Sequence, residues 1–249
     1  MPEPSVVLVH GAFADSSSWH DTINRLEAHG HRVLAVPNQL RGLVADADYV
    51  RSIVSSIDGP VVLVGHSYGG AVIGEAARGA SNVAGLVFIA AYILDEGESI
   101  STVLNPAAHP GALLGPTTTV VRPCTNSASP DGHDLDIFIR PEDFHAVFAA
   151  DVDPVQTHVL ALTQRPLAVG ASTGVAGRPA WRDLPSWALV SHDDRAIPAS
   201  GQTWMAERAH AVMSSIDSSH AVMLSHPDVV ADVIGTAVTT VAGASTVAS

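Results

Sequence analysis

The chain has 249 residues, of which 47% are hydrophobic and only 15% are charged, and this favours one large folded domain over a disordered chain. Its formal net charge of −13 repels nucleic-acid phosphates, so we expect no nucleic-acid partner. All 12 basic residues are arginine, which excludes any mechanism that needs a lysine amine.

The sequence indicates neither a secretory leader nor a membrane span. Met1 is followed almost directly by the apolar run Val6–Val9, and the longest apolar stretch, near Val83–Leu94, is short and interrupted by Gly85. The single cysteine, Cys124, allows no intramolecular disulfide and is interpreted as structural. We therefore expect a cytoplasmic protein without a membrane partner.

Short apolar runs bounded by Gly, Pro or polar residues predict buried parallel strands. In chain order they are Val6–Val9, Val33–Val36, Val61–Val64, Leu86–Ala90, Trp187–Val190 and, more weakly, Ala211–Ile216. Helix-compatible segments lie between and after them, at Ser18–Ala28, Ala45–Ile57, Tyr68–Ala80, Gln202–Ala209 and Pro227–Val241. This alternation predicts an α/β fold over residues 1–249, with a doubly wound, mostly parallel sheet of about six strands.

The alternation stops between about Leu94 and Arg178, where the chain is rich in Pro, Gly, Thr and Asp. Two helical patterns occur there, near Pro141–Ala150 and Pro154–Arg165, and no strand of the earlier kind is found. We predict a helical cap insertion at about residues 94–178 that lies over the sheet, not a second domain.

The segment Gly65–Gly69, of sequence GHSYG, matches the nucleophile-elbow pattern G-x-S-x-G. An apolar strand precedes it and a helix-compatible segment follows it, which is the context that the pattern requires. Side chains at Gly65 and Gly69 would collide with neighbouring backbone in so tight a turn, and the helix N-terminus favours developing negative charge. We predict Ser67 as the nucleophile; the alternative is a glycine-rich turn with an idle serine.

An oxyanion hole needs two backbone N–H groups. The residue after the nucleophile, Tyr68, should supply one, and the loop after the first strand should supply the other. In that loop, Gly11 allows close backbone approach and we choose Ala12 as the donor. His10 is interpreted as a buried imidazole bonded to local backbone.

A base and an orienting carboxylate should follow later strands at the same sheet edge. Asp193 and Asp194 come after the run Trp187–Val190, and we choose Asp194; Asp95 or Glu96 is a less favoured acid.

His220 follows the run Ala211–Ile216 and, with a reference pKa of about 6.5, can accept a proton near neutral pH. Its rival His226 precedes Pro227 and is typical of the start of a helix. The order Ser67, Asp194, His220 is the order that this class of hydrolase uses.

With these motifs the chain resembles the small bacterial α/β-fold hydrolases that are related to plant salicylate-ester esterases and hydroxynitrile lyases. The motifs are the segments of sequence HGAF, GHSYGG, DRAIP and SHAVM, which begin at His10, Gly65, Asp194 and Ser219. The resemblance covers nearly the whole chain and implies a six-stranded core whose cap roofs a mostly apolar acyl pocket. The hydroxynitrile lyases use a lysine, which this chain lacks, and the related dehalogenases and epoxide hydrolases use an aspartate nucleophile where this chain has Ser67. Ester hydrolysis is therefore the favoured activity.

The expected substrate is a small apolar ester. Phe13, Tyr92, Phe144 and Phe148 are predicted to line its pocket, with plain core packing as the competing interpretation for each. No metal or other cofactor is expected, since the acidic cluster near His133 lacks a recognisable ligand spacing. A cofactor-free oxygenase and a non-catalytic small-molecule binder remain alternatives, and a homodimer is left open.

Overall fold

The computed structural model describes residues 3–247, with side-chain environments described as far as residue 244. Its strands, numbered in chain order, are β1 Ser5–Val9, β2 Val33–Val36, β3 Val61–His66, β4 Val83–Ile89, β5 Thr119–Thr125, β6 His133–Ile139, β7 Leu167–Ala168, β8 Ser186–Ser191 and β9 Val212–Ile216. Six of them form the central sheet in the order β2-β1-β3-β4-β8-β9, and every neighbouring pair is parallel. The predicted α/β fold and all six predicted strands are confirmed.

The helices are α1 His20–Ala28, α2 Leu43–Val54, α3 Tyr68–Ala76, α4 Phe144–Phe148, α5 Pro154–Thr163, α6 Val169–Thr173, α7 Ala199–Arg208, α8 Val222–Ser225 and α9 Pro227–Val247. The five helices predicted around the sheet are confirmed, with ends that differ by a few residues. Short 3₁₀ turns at Ser16–Trp19 and Ala180–Arg182 complete the order. Within the described residues no helix is both long and apolar enough to cross a membrane.

The inner strands are mainly apolar because both faces of the sheet are covered. Alternate residues of a strand point to opposite faces: Val7 and Leu63 join one buried cluster, whereas Leu8 and Val62 join the other. Helices α2, α3 and α7 contribute to the first cluster, and α1 and α9 contribute to the second. The edge strand β9 is largely exposed, which explains its weaker apolar pattern.

The cap contains a three-stranded antiparallel sheet, β5-β6-β7, together with α4, α5 and α6. The expectation of a helical cap without strands was therefore wrong in this part. Strand β6 alternates polar and apolar residues and β5 includes Pro123, so neither shows the continuous apolar run of a doubly covered strand. The two predicted cap helices are present as α4 and α5, in shorter form.

Candidate active site

Ser67 occupies the tight turn between β3 and α3, with a φ of 55° and a ψ of −124°. A positive φ is unfavourable for a residue with a side chain and is retained only where the surroundings enforce it. Glycine is required on either side: a Cβ at Gly65 would lie 2.4 Å from the Gly69 carbonyl oxygen. The turn places Ser67 at the N-terminus of α3, where the helix dipole favours negative charge.

Backbone strain is concentrated at the edge of the sheet where β1, β3 and β4 end. Phe13, Ser67 and Ala90 follow these strands, and all three have positive φ values. The loop after β1 comes very close to the elbow, because a Cβ at Gly11 would lie 2.5 Å from the Ser67 Cβ. Tyr92 also adjoins the elbow, since its backbone N–H donates to the Ser67 carbonyl oxygen at 3.2 Å.

Asp194 and His220 form a buried pair, with His220 Nδ1 at 2.7 Å from Asp194 Oδ2. The side chain of Gln202 donates to the same oxygen at 2.7 Å, while the backbone N–H groups of Ala196 and Ile197 donate to Oδ1 at 2.7 and 2.8 Å. Four donors therefore occupy the four lone-pair positions of one carboxylate. The bond to Nδ1 leaves Nε2 of a neutral His220 unprotonated and able to accept a proton.

His66, next to the nucleophile position, holds the His220 backbone. Its Nε2 lies 2.9 Å from the His220 carbonyl oxygen, which can only accept, so Nε2 carries the proton. The two rings are 4.6 Å apart, and the Phe148 ring stands edge-on to His220 at 5.0 Å. Burial holds the pKa of His66 well below its ordinary value, so the ring stays neutral. These contacts bring His220 beside the elbow.

The backbone N–H groups of Ala12 and Tyr68 have no hydrogen-bond partner among the described residues, whereas the N–H of Phe13 donates to Arg165. The side chain of Tyr68 is fixed elsewhere, since its hydroxyl donates to the buried Asp46 at 2.8 Å. Burial, and then the Asp46 charge, raises the pKa of Tyr68 well above its usual range. Both free N–H groups are available to an oxyanion.

His10 lies behind this loop and is engaged by backbone at both ring nitrogens. Nε2 accepts from the Asn38 N–H at 2.9 Å, which leaves Nδ1 to donate to the Gly11 carbonyl at 2.8 Å. Burial lowers the pKa of His10 to about 4. These contacts agree with a structural role for His10.

A cavity of about 560 Å³ opens at Ser67. Ala12 and Tyr68 line it, as do two of the predicted pocket residues, Phe13 and Tyr92; its other lining residues are Ile100, Ser101, Leu114, Gly115, Pro116, Thr119, Val121, Ile137, Leu167 and Ser172. The wall is mainly apolar and includes no charged side chain.

Phe144 and Phe148 do not line this cavity, and their predicted place in its wall needs correction. Both belong to α4 of the cap and are buried in the larger hydrophobic cluster, with rings 5.0 Å apart. They border a separate, much smaller void of about 40 Å³. The Phe148 ring packs on the His220 imidazole, and Phe148 does not line the cavity.

The rival candidates pair with other residues and do not line the cavity at Ser67. Asp95 pairs with Arg182 at 2.6 Å, and His226 lies 3.8 Å from Asp151. In β6, Asp136 pairs with Arg41 at 2.7 Å. Among residues 3–247 no group of three or more His, Cys, Asp or Glu side chains has the arrangement of a metal site.

Two supporting residues were missed by sequence reasoning. Gln202 braces Asp194 from α7, and Asp151 of the cap accepts hydrogen bonds from the loop that carries His220. Neither belongs to a recognisable motif, and their partners are distant in sequence. A polar residue inside the apolar face of a predicted helix, as Gln202 is, would have been the one available signal.

Comparison with known proteins identifies relatives of this chain. Residues 6–233 match the sequence profile of the Alpha/beta hydrolase family. A carbendazim hydrolyzing esterase of Nocardioides sp. is 35% identical over 117 residues, which cover 42% of this chain and 48% of that protein. Methylesterase 1 of Arabidopsis thaliana is 27% identical over 248 residues, or 91% of this chain and 92% of its own. The crystal structure of polyneuridine aldehyde esterase has the same fold, with a TM-score of 0.78 at 20% identity over 93% of this chain and 97% of that one.

Proposed function

The chain belongs to the alpha/beta hydrolase family, and from this premise we propose that it hydrolyses small carboxylic esters through an acyl-enzyme intermediate on Ser67. The esterase names of its relatives support ester hydrolysis. The single observation that carries the proposal is the buried His220–Asp194 pair beside a strained serine elbow. A small-molecule binder has no need of such a pair.

In the proposed mechanism, Ser67 Oγ attacks the ester carbonyl while Nε2 of His220 takes its proton. Asp194 holds the imidazole in the required tautomer and stabilises its cationic form. The N–H groups of Ala12 and Tyr68 bind the negative oxygen of the tetrahedral intermediate. His220 then protonates the leaving alcohol, and a water molecule, activated in the same way, releases the acid.

Hydrolysis of p-nitrophenyl esters of increasing acyl length tests the proposal. Ser67→Ala should lower kcat by on the order of 10⁴–10⁶-fold, since it removes the attacking oxygen. Ser52→Ala is the matched control, because Ser52 is an exposed serine of α2 whose hydroxyl bonds only to the Tyr49 carbonyl. Full esterase activity of Ser67→Ala would contradict the proposal.

Labelling by a fluorophosphonate separates the remaining alternatives. A labelled Ser67 without ester turnover would indicate a working nucleophile that serves an amide or a lactone. Absence of both turnover and labelling would favour the oxygenase or binder interpretation.

The expected partner is a neutral, largely apolar ester, in keeping with a cavity wall that has no charged side chain. We also propose a cytoplasmic location, supported by a single cysteine that forms no disulfide. Cell fractionation would test the location, and sedimentation would show whether the protein forms a homodimer.

A further inference from the structure

The cavity at Ser67 carries few polar groups, and most of them are already engaged. Apart from Ser67, its hydroxyl-bearing residues are Tyr68, Tyr92, Ser101, Thr119 and Ser172, and the hydroxyl of Tyr68 is engaged by Asp46. Thr119 donates to the Gly115 carbonyl at 2.9 Å, and Ser172 donates to the Val169 carbonyl at 2.8 Å. The hydroxyl of Ser101 pairs with that of Ser99 at 2.9 Å.

The hydroxyl of Tyr92 differs from these, because it has no hydrogen-bond partner among the described residues. It is also not one of the fully buried side-chain atoms without a partner, so the oxygen is partly accessible, and Tyr92 is one of the residues that line the cavity. Its backbone is bonded to Ser67, which places the residue next to the reacting centre.

The charge of Asp194 acts on the Tyr92 hydroxyl, but the Asp194 carboxylate has no free position to accept a hydrogen bond from it. The four lone-pair positions of Asp194 are occupied by Ala196, Ile197, Gln202 and His220. Burial, and then the Asp194 charge, raises the pKa of Tyr92 above its usual value, so the proton is retained at every working pH. The Tyr92 O–H is therefore a donor without an acceptor in the protein.

We propose that Tyr92 determines specificity, and that its hydroxyl donates a hydrogen bond to a second acceptor oxygen in the acyl part of a neutral ester. The preferred substrates are then alkoxyacyl or ketoacyl esters and not purely hydrocarbon ones. This inference rests on the proposed function, in which the cavity takes the acyl group. A hydrocarbon acyl chain covers the hydroxyl and leaves it unpaired, whereas an acceptor oxygen satisfies it.

The test uses two esters of nearly equal shape, p-nitrophenyl methoxyacetate and p-nitrophenyl butanoate, which differ by an oxygen in place of a methylene. Their kcat/KM ratio is divided by the ratio of their hydroxide-catalysed rates to remove intrinsic reactivity. In the unmodified enzyme the corrected ratio should favour methoxyacetate. Tyr92→Phe should lower this ratio about 10-fold, the size expected for one hydrogen bond.

Tyr49→Phe removes a hydroxyl from α2, outside the cavity wall, and should leave the ratio unchanged. A further measurement uses only the unmodified enzyme, so misfolding of a variant cannot affect its result. Methoxyacetamide should inhibit this enzyme about 10-fold more strongly than butanamide. Equal effects of Tyr92→Phe on both esters, or equal inhibition by both amides, would overturn the inference. Butanoate turnover that depends on Ser67 would leave the proposed function standing in that case.

Discussion

The Asp194 carboxylate is held by four donors, and one of them is a side chain that can be changed without touching the cavity. Gln202 donates from Nε2 to Asp194 and to the Ile197 carbonyl, and its Oε1 accepts from the Ser191 N–H. Gln202 thus fixes the position of the carboxylate and withdraws negative charge from it. We regard it as a positioning residue, since it acts on His220 only through Asp194.

Replacing Gln202 by Met keeps the volume and removes the donor. We expect kcat to fall about 10-fold. A hydrogen bond to a charged group contributes roughly 1.5–3 kcal/mol, and only part of that free energy stabilises the transition state relative to the bound substrate. KM should stay the same, since Gln202 does not line the cavity. A carboxylate with fewer donors holds a cationic imidazole more strongly, so the acid limb of the kcat profile should move to higher pH.

The exposed Gln156 of α5 is the matched control, and Gln156→Met should leave both kcat and the pH profile unchanged. If Gln202→Met lowered only the melting temperature, with an unmoved pH profile, Gln202 would be a purely structural residue.

At the scale of elements, the segment between α4 and α5 connects the cap to the loop that carries His220. Asp151 accepts from the Ser218 hydroxyl at 2.9 Å, from the Ser219 N–H at 3.1 Å and from the Ser219 hydroxyl. Burial alone would raise the pKa of Asp151, but the bonds from Ser219 and Ser218 outweigh it and lower that pKa. The Ala221 N–H also donates to the Phe148 carbonyl at 3.0 Å. The cap therefore fixes the loop that carries His220 as well as contributing to the wall of the cavity.

Asp151→Asn should lower kcat about 10-fold with little change in KM. An amide nitrogen cannot accept, so at least one of the three bonds is lost and the loop of His220 is held less firmly. Steady-state kinetics on one p-nitrophenyl ester measures both constants.

Asp153→Asn is a close control, because Asp153 is also a cap carboxylate but bonds only to the start of α5, through the N–H groups of Val155 and Gln156. Asparagine is an equally good N-cap, so this variant should keep its activity. Equal kinetics for the two variants would show that the cap does not position the base.

The central sheet could be predicted from sequence because its strands are covered on both faces and their apolar runs are continuous. Strand β6 could not, since most of its residues are exposed or only half-buried and its pattern HDLDIFI is also compatible with a polar loop. The order and spacing of Ser67, Asp194 and His220 predicted residues that the structure brings to one edge of the sheet. Which aromatic residues face the cavity depends on how the cap packs, and local sequence carries no signal for that.

At the scale of the whole molecule, buried neutral histidines make stability depend on pH. Burial is the main cause of the low pKa of His10, about 4 against an ordinary 6.5, with Arg165 lowering it further and Asp15 and the Gly11 carbonyl raising it. The pKa of His66 is lowered in the same direction. At these two histidines the unfolded chain therefore binds more protons than the folded protein as the pH is lowered from 6.5 to 4.

The free energy of unfolding should consequently fall as the pH is lowered through this range. His10 alone contributes about 3 kcal/mol over the whole range, at about 1.4 kcal/mol per unit of its pKa shift, and the stabilisation is fully present above pH 6.5. The buried carboxyl of Asp46 has a raised pKa and acts in the opposite direction near pH 4. Urea unfolding between pH 6.5 and 5 therefore gives the clearest measurement.

His10→Gln removes one of the titrating groups, so its unfolding free energy should fall less steeply with pH than that of the unmodified protein, whatever its absolute stability. The exposed His29 provides the control, and His29→Gln should reproduce the unmodified slope. If the unfolding free energy of His10→Gln fell with pH as steeply as that of the unmodified protein, His10 would take up its proton within the folded state. In that case the hydrogen bonds from Asn38 and to Gly11 would not hold the ring neutral, and acid sensitivity would have to come from other groups.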